Sequence, residues 1–86
     1  MITKTIENNH IVYRNDKGQY HNINAPALIW NDGSEWYYEN GQLHNLHGPA
    51  IVDKFGNKGY FINGMEFSER NYYGRIRIKC PDYLKQ

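Results

Sequence analysis

The apolar residues of this chain stand in short runs that are separated by clusters of Asn, Asp and Gly. Runs rich in β-branched and aromatic residues, bounded by such turn residues, are typical of β-strands. The pattern predicts strands at 27–30, 36–38, 51–52 and 60–62, joined by tight turns. The predicted fold class is therefore mainly β, an antiparallel meander of stacked β-hairpins.

The pattern also repeats with a period of 23 residues. A shift by this number brings Gly18, Gly41 and Gly64 into register, and it aligns 25–29 with 48–52. A fixed internal period indicates a stack of similar units in which each unit covers the apolar face of its neighbour. The shift also aligns aromatic positions, namely Tyr13 with Trp36, Tyr37 with Tyr60 and Tyr38 with Phe61.

Turn residues mark where each hairpin reverses. Asn40-Gly41 and Asn63-Gly64 predict type I′ turns, because both residues tolerate the positive φ that this turn requires. Pro26 and Pro49 lack a backbone donor and are predicted at the first residue of a strand. An edge strand is predicted at 2–6, ahead of the first unit.

The pattern changes after residue 67. Ser68 is a good helix N-cap and predicts a helix over 68–80, followed by a tail at 81–86. One face of this helix would carry Tyr72, Tyr73, Ile76 and Cys80. The alternation of apolar and basic residues at 75–80 also fits a strand, and this alternative stays open. We expect the C-terminal segment to cover one face of a sheet that is too thin to bury both.

The repeated unit resembles the MORN repeat, in the variant found in small phage and bacterial proteins of unassigned function. The resemblance covers about residues 10–67 and rests on an Asn-Gly pair, a histidine, Gly-Pro-Ala, a second turn glycine and an aromatic pair. The best copy runs from Trp36 to Val52. Pro26 and Pro49 depart from the ordinary repeat, which has glycine there, and Asn24-Ala25 and Phe67 replace expected residues in the outer copies.

This resemblance implies an architecture rather than a chemistry, because MORN-like arrays serve as scaffolds, protein contacts and occasionally lipid-contacting surfaces. The departures from the repeat argue against a lipid-binding role. Short versions with a helical tail are similar to phage accessory proteins that bind and inhibit a host protein. The resemblance thus implies a protein partner, for example a host defence protein.

Size and composition allow one small domain, 1–86. The chain has 86 residues and 10.2 kDa, with 40% apolar and 22% charged residues, a globular balance. The sole cysteine, Cys80, excludes an intramolecular disulfide, and the apolar runs are too short for a membrane span. Residues 1–9 do not have the apolar core of a secretion signal, so we expect no leader. We therefore expect a cytoplasmic protein, in the host cytoplasm if phage-encoded, with no membrane partner.

Charge is divided unevenly along the chain. The net charge is +1, made up of −2 over residues 1–67 and +3 over residues 68–86. The basic C-terminal segment, with its tyrosines, permits weak nucleic-acid binding, but +3 is modest and nucleic acid is not the expected partner.

The residues with catalytic potential have simpler explanations. His44 and His47, with His21 or Asp53, would offer zinc ligands, yet His44 repeats at His21 and is better explained as a ring that packs on, or hydrogen-bonds to, the adjacent turn. Cys80 lies among basic residues without a nearby histidine in the sequence. The sequence therefore predicts no enzyme, no metal and no cofactor.

The surplus of aromatic residues, eight Tyr, three Phe and two Trp, carries the functional hypothesis. Exposed Tyr and Trp anchor protein interfaces, so we expect a non-enzymatic interaction module. A small-ligand or nucleotide-sequestering protein is the alternative, and an uncovered edge or face also permits a homodimer. The candidate binding residues are Trp30, Trp36, Tyr38, Tyr60, Tyr72, Arg70, Arg75 and Arg77.

Overall fold

The computed structural model describes residues 1–76, which form nine strands and one helix. The strands are β1 (Thr3–Glu7), β2 (His10–Arg14), β3 (Leu28–Ile29), β4 (Glu35–Trp36), β5 (Tyr38–Glu39), β6 (Gln42–Leu43), β7 (Ile51–Val52), β8 (Lys58–Ile62) and β9 (Met65–Phe67), and the helix α1 spans Glu69–Ile76.

Seven strands form one sheet in the order β1-β2-β3-β4-β7-β8-β9, in which all neighbours are antiparallel. The chain leaves this sheet after β4, forms the separate β5–β6 hairpin, and returns as β7 beside β4. The predicted fold class, a mainly β antiparallel meander with a short C-terminal helix, is confirmed.

Two kinds of turn close the hairpins, and each kind lies at one end of the strands. The turns after β3 and β7 match one another: Gly33 and Gly56 each donate their amide to the carbonyl three residues earlier, and both have positive φ, 94° and 85°. At the other end, Asn40-Gly41 has φ values of 51° and 83°, and Asn63-Gly64 has 49° and 82°. The prediction of left-handed Asn-Gly turns is therefore confirmed.

Backbone contacts between the hairpins recur at the 23-residue spacing. The Asn22 amide donates to the Tyr38 carbonyl at 3.1 Å, and Asn45 makes the equivalent bond to Phe61 at 3.2 Å. The side chain of each asparagine also donates to a proline carbonyl four residues later, at 3.0 Å. Both prolines thus lie in connecting loops, two residues before β3 and β7, rather than at the first residue of a strand.

The first unit is one residue longer than the others. Val12 pairs with Leu28, whereas Trp36 pairs with Ile51, so the structural counterpart of Trp36 is Val12 and the predicted alignment with Tyr13 is wrong. The reason is the turn after β2, in which the Asn15 side chain accepts two backbone amides at 3.0 Å and closes a longer loop than Asn-Gly does.

The sheet has two distinct faces. Directly paired residues share a face, so Val12, Leu28, Trp36 and Ile51 lie on one side, which we call the aromatic face. Tyr60 lies on the other side, the helix face, where α1 packs. The buried apolar residues are Val12, Ala27, Leu28, Ala50, Tyr60 and Tyr72.

Helix α1 covers the end of the sheet, as expected for the C-terminal segment. The Ser68 hydroxyl accepts the Asn71 amide at 3.2 Å, which is the predicted N-cap. Arg75 and Ile76 are helical, so the alternative strand does not hold there. The rest of the predicted helix to residue 80, including Cys80, lies outside the described residues.

Within residues 1–76, no helix is both long and apolar enough to cross a lipid bilayer.

Candidate interaction surface

A continuous row of rings runs along the aromatic face. We call it the aromatic row. Consecutive ring centroids are 5.2, 6.5, 5.3 and 4.4 Å apart, and the three closest contacts are edge-on. Such edge-to-face contacts stabilise each ring in a fixed orientation. The members, in spatial order, are Tyr20, Tyr38, Trp36, Trp30 and His10.

Each ring of the row is only partly covered. The face beneath holds Val12 and Leu28, whose exposed fractions are 2% and 5%. Burial raises the pKa of the Tyr38 hydroxyl, which is consistent with a ring set partly into the surface. The row is therefore both the cover of a small core and an accessible surface.

A charged pair lies beside the row on β1 and β2, with Arg14 next to Tyr20 and Glu7 directly opposite His10 across the strand pair. The Arg14 guanidinium is 5.1 Å from the Tyr20 ring centroid, a cation–π contact. Arg14 also donates both terminal nitrogens to Glu7, and this pairing holds the pKa of the Glu7 carboxyl at about 2. The pair joins β1 to β2 across the hairpin.

Three of the predicted binding residues, Trp30, Trp36 and Tyr38, are brought together in the row. Tyr60 and Tyr72 are not available to a partner, because their exposed fractions are 5% and 0%. Their rings pack against each other at 4.9 Å on the helix face. The prediction of these two tyrosines as contact residues is therefore corrected: they are core residues.

The buried hydroxyl of Tyr72 needs hydrogen-bond partners, and it finds them in a neighbouring loop. Its hydroxyl donates to the Asn45 carbonyl at 2.6 Å and accepts the Gly48 amide at 3.0 Å. Both backbone groups belong to the loop between β6 and β7, and a buried backbone group without a partner is costly. Helix α1 thus fixes the β6–β7 loop through one phenol.

The predicted basic contacts lie apart from the row. Arg70 and Arg75 are exposed on α1, which packs on the opposite face from Trp36, and Arg77 lies outside the described residues. A nucleotide held between the row and these arginines would need both on one side of the sheet. The geometry does not bring them together.

The histidines brace adjacent turns. His21 Nδ1 accepts the Asn40 amide at 3.0 Å, and His44 Nδ1 accepts the Asn63 amide at 2.9 Å. The prediction that these rings hydrogen-bond to the next turn is confirmed. In residues 1–76, no three His, Cys, Asp or Glu side chains form a group that could hold a metal ion.

Sequence reasoning missed His10 and Tyr20. Tyr20 forms an isolated bridge with Arg14, and that pairing depends on the longer first turn. His10 could have been found from strand alternation, because it lies two residues before Val12 and so shares its face. Neither residue repeats at the 23-residue spacing.

Comparison with family models, with curated proteins and with solved structures found no match to this chain.

Proposed function

We propose that this chain is a non-enzymatic protein-interaction module whose contact surface is the aromatic row. The observation that carries the proposal is that Trp30, Trp36 and Tyr38, each a partly exposed residue, form one row on the face opposite α1. Large aromatic residues at the centre of a surface are the usual energetic anchors of protein interfaces.

The rings are suited to binding because they are already held in place. Each contacts its neighbour, and the Trp30 backbone is fixed by the turn bond from its amide to the Ser34 carbonyl at 2.9 Å. Binding therefore costs little further loss of side-chain freedom, which is a main cost of association. A partner would gain binding free energy by covering the ring surface that faces away from Val12 and Leu28.

The resemblance to small MORN-like phage proteins leads us to propose a host protein as the partner, with inhibition of that protein as the consequence. Contacts that recur at the 23-residue spacing, such as those of Asn22 and Asn45, support the repeat part of this proposal. A homodimer through the same face is the competing arrangement.

The test is capture of a partner by the wild-type chain and by row variants. Trp36→Ser and Tyr38→Ser each remove one ring of the row. Phe55→Ser is the control matched in size to Tyr38→Ser, because it removes a six-membered ring, 79% exposed, from a hairpin tip. Circular dichroism and thermal melts first establish that each variant is folded. We expect wild type and Phe55→Ser to retain the partner, and Tyr38→Ser to lose it.

A partner retained equally by all the variants would place the contact elsewhere and overturn the proposal, as would capture that depends only on Phe55. Light scattering of the wild-type chain separates the two arrangements. A dimer that Tyr38→Ser converts to a monomer identifies the partner as a second copy.

A further inference from the structure

A groove adjoins the Trp30 and Trp36 rings of the aromatic row. It runs between the turn that follows β3 and the turn that follows β7. The Lys54 amide donates to the Ser34 hydroxyl at 3.2 Å and ties the two turns together. The groove is lined by Trp30, Asp32, Ser34, Trp36, Ile51 and Asp53.

The acidic walls of the groove are fixed by the turns themselves. Asp32 Oδ1 accepts the Ser34 amide at 2.8 Å. Asp53 Oδ1 accepts the amides of Phe55 and Asn57, each at 2.9 Å. Each carboxylate is therefore held in one position before any ligand arrives, which reduces the entropy cost of binding.

Both carboxylates are charged at neutral pH. The Ser34 amide lowers the pKa of Asp32, and the Asn57 side chain, with nearby backbone amides, lowers the pKa of Asp53. The one cation of these turns, among the described residues, is Lys54, whose ammonium group is 5.1 Å from the Phe55 ring centroid and whose positive charge also contributes to the lowered pKa of Asp32. The groove thus presents two carboxylates, with one ammonium group nearby, beside an aromatic floor.

The floor consists of two indoles. The ring centroids of Trp30 and Trp36 are 5.3 Å apart at an interplanar angle of 65°, and Ile51 adds an apolar side. A guanidinium group matches this arrangement better than a neutral group does. Its plane stacks on an indole, and its edges donate to carboxylates. A simple apolar side chain would bring no positive charge to the two carboxylates.

We propose that this groove binds an arginine side chain of a basic partner segment, stacked on Trp30 or Trp36 and paired with Asp32 and Asp53. The proposal rests on the proposed function, since it names the chemistry of the partner at the Trp30 and Trp36 rings of the aromatic row. The binding should be specific for arginine over its neutral isostere, because both the cation–π contact and the carboxylate pairing need the positive charge.

The experiment titrates the full chain with a blocked peptide, acetyl-Gly-Gly-Arg-Gly-Gly-amide, and follows the indole N–H resonances of Trp30 and Trp36 by NMR. The same peptide with citrulline in place of arginine keeps the shape and removes the charge. Free arginine amide serves as a second probe and shows whether the side chain alone suffices. We expect saturable shifts with both arginine probes, and affinity at least about tenfold weaker with citrulline.

The matched variants carry equal changes of charge. Asp32→Asn with Asp53→Asn keeps an oxygen to accept the turn amides and removes both negative charges from the groove. Asp16→Asn with Glu66→Gln removes two negative charges from exposed positions outside the groove. We expect the first pair to weaken the arginine peptide at least about tenfold and the second pair to change the affinity less than about twofold.

Equal binding of the arginine and citrulline peptides, or wild-type affinity in the Asp32→Asn, Asp53→Asn variant, would overturn the proposal. So would arginine-peptide shifts confined to the Tyr20 end of the row. These results are separate from the capture experiment: capture that depends on Tyr38 with no arginine preference refutes only the groove. Arginine binding without any Tyr38-dependent partner refutes only the proposed function.

Discussion

Single side chains in this protein often replace backbone partners. His21 and His44 each offer Nδ1 to the amide of a turn in the next hairpin. Tyr72 offers one hydroxyl to two backbone groups of a loop. Short strands leave many backbone groups outside ladders, and these groups still need hydrogen bonds. The side chains of His21, His44 and Tyr72 therefore stabilise the fold through the hydrogen bonds that they make to the backbone.

The first prediction concerns His44→Ala. Loss of the Nδ1 acceptor leaves the Asn63 amide without its protein partner, so the free energy of unfolding should fall by about 1 kcal/mol. Urea denaturation followed by tryptophan fluorescence measures this. His47→Ala is the control, since His47 is exposed, and it should change stability by less than about 0.5 kcal/mol. Equal effects of the two substitutions would contradict the bracing role.

The second prediction concerns Tyr72→Phe, which keeps the ring and removes the hydroxyl. The Asn45 carbonyl and the Gly48 amide then lose a buried partner, and the cost should be about 1–3 kcal/mol. Thermal and urea unfolding measure it. Tyr13→Phe is the control, since its hydroxyl makes no hydrogen bond within the described part of the chain. A Tyr72→Phe chain as stable as wild type would show that this link is dispensable.

At the scale of elements, the turns direct the hairpins. β5–β6 contains only two residues on each side, so its geometry depends on Asn40-Gly41 rather than on a long ladder. The Gly41 amide also donates to the Tyr20 carbonyl at 2.9 Å and joins this hairpin to the previous one. Turn conformation and hairpin stacking are therefore coupled at a single dipeptide.

The third prediction compares two glycines. Gly41→Ala should destabilise the protein by about 1–2 kcal/mol, because φ is +83° there and a Cβ disfavours this conformation. The strain is conformational, since the nearest atoms to an added Cβ are 3.6 Å away in the Gln19 side chain. Chemical denaturation measures the change.

Gly74→Ala is the matched substitution. Gly74 lies exposed in α1 with nothing within 4 Å of an added Cβ, so alanine should stabilise the protein by up to about 1 kcal/mol. Effects of the same sign at both glycines would contradict the assignment of one to a left-handed turn and the other to a helix.

At the scale of the whole molecule, a thin meander needs both ends secured. The described chain extends over 43 × 26 × 17 Å, and the two end strands of the sheet each have a neighbour on one side only. At one end α1 packs on β8 and β9. At the other end the Glu7–Arg14 ion pair links β1 to β2, with exposed fractions of 42% and 29%. Acid should therefore loosen the β1 end.

The fourth prediction is the pH dependence of stability. The pKa of Glu7 is lowered from 4.5 to about 2, so the folded state binds its proton less readily than the unfolded state. Its contribution is present above pH 4.5 and is lost as the pH falls towards 2. Asp32 and Asp53, with lowered pKa values, act in the same direction. Thermal melts from pH 7 to pH 2 measure the fall.

Glu7→Gln should be less stable than wild type at pH 7 and approach it near pH 2, because only the charged form of Glu7 pairs with Arg14. Glu66→Gln, at an exposed strand position, is the control and should follow the wild-type curve. A constant difference between Glu7→Gln and wild type at every pH would show that the ion pair is not the cause.

The sequence alone determined the features that depend on neighbouring residues. Asn40-Gly41 and Asn63-Gly64 specify left-handed turns because the required φ is a property of the residues themselves. Ser68 specifies the start of α1 for a similar local reason. The period of two along a strand also puts Trp36 and Tyr38, two residues apart, on one face.

Only the tertiary structure decided which rings are buried. Tyr37 and Tyr60 occupy equivalent positions of the repeat, yet Tyr60 is buried under α1 and Tyr37 stays partly exposed. The bonds of Tyr72 join residues 24 and 27 positions apart, and no local pattern encodes them. The groove between Asp32 and Asp53 exists because two hairpin turns from different units lie side by side. The pairing of whole strands brings these turns together.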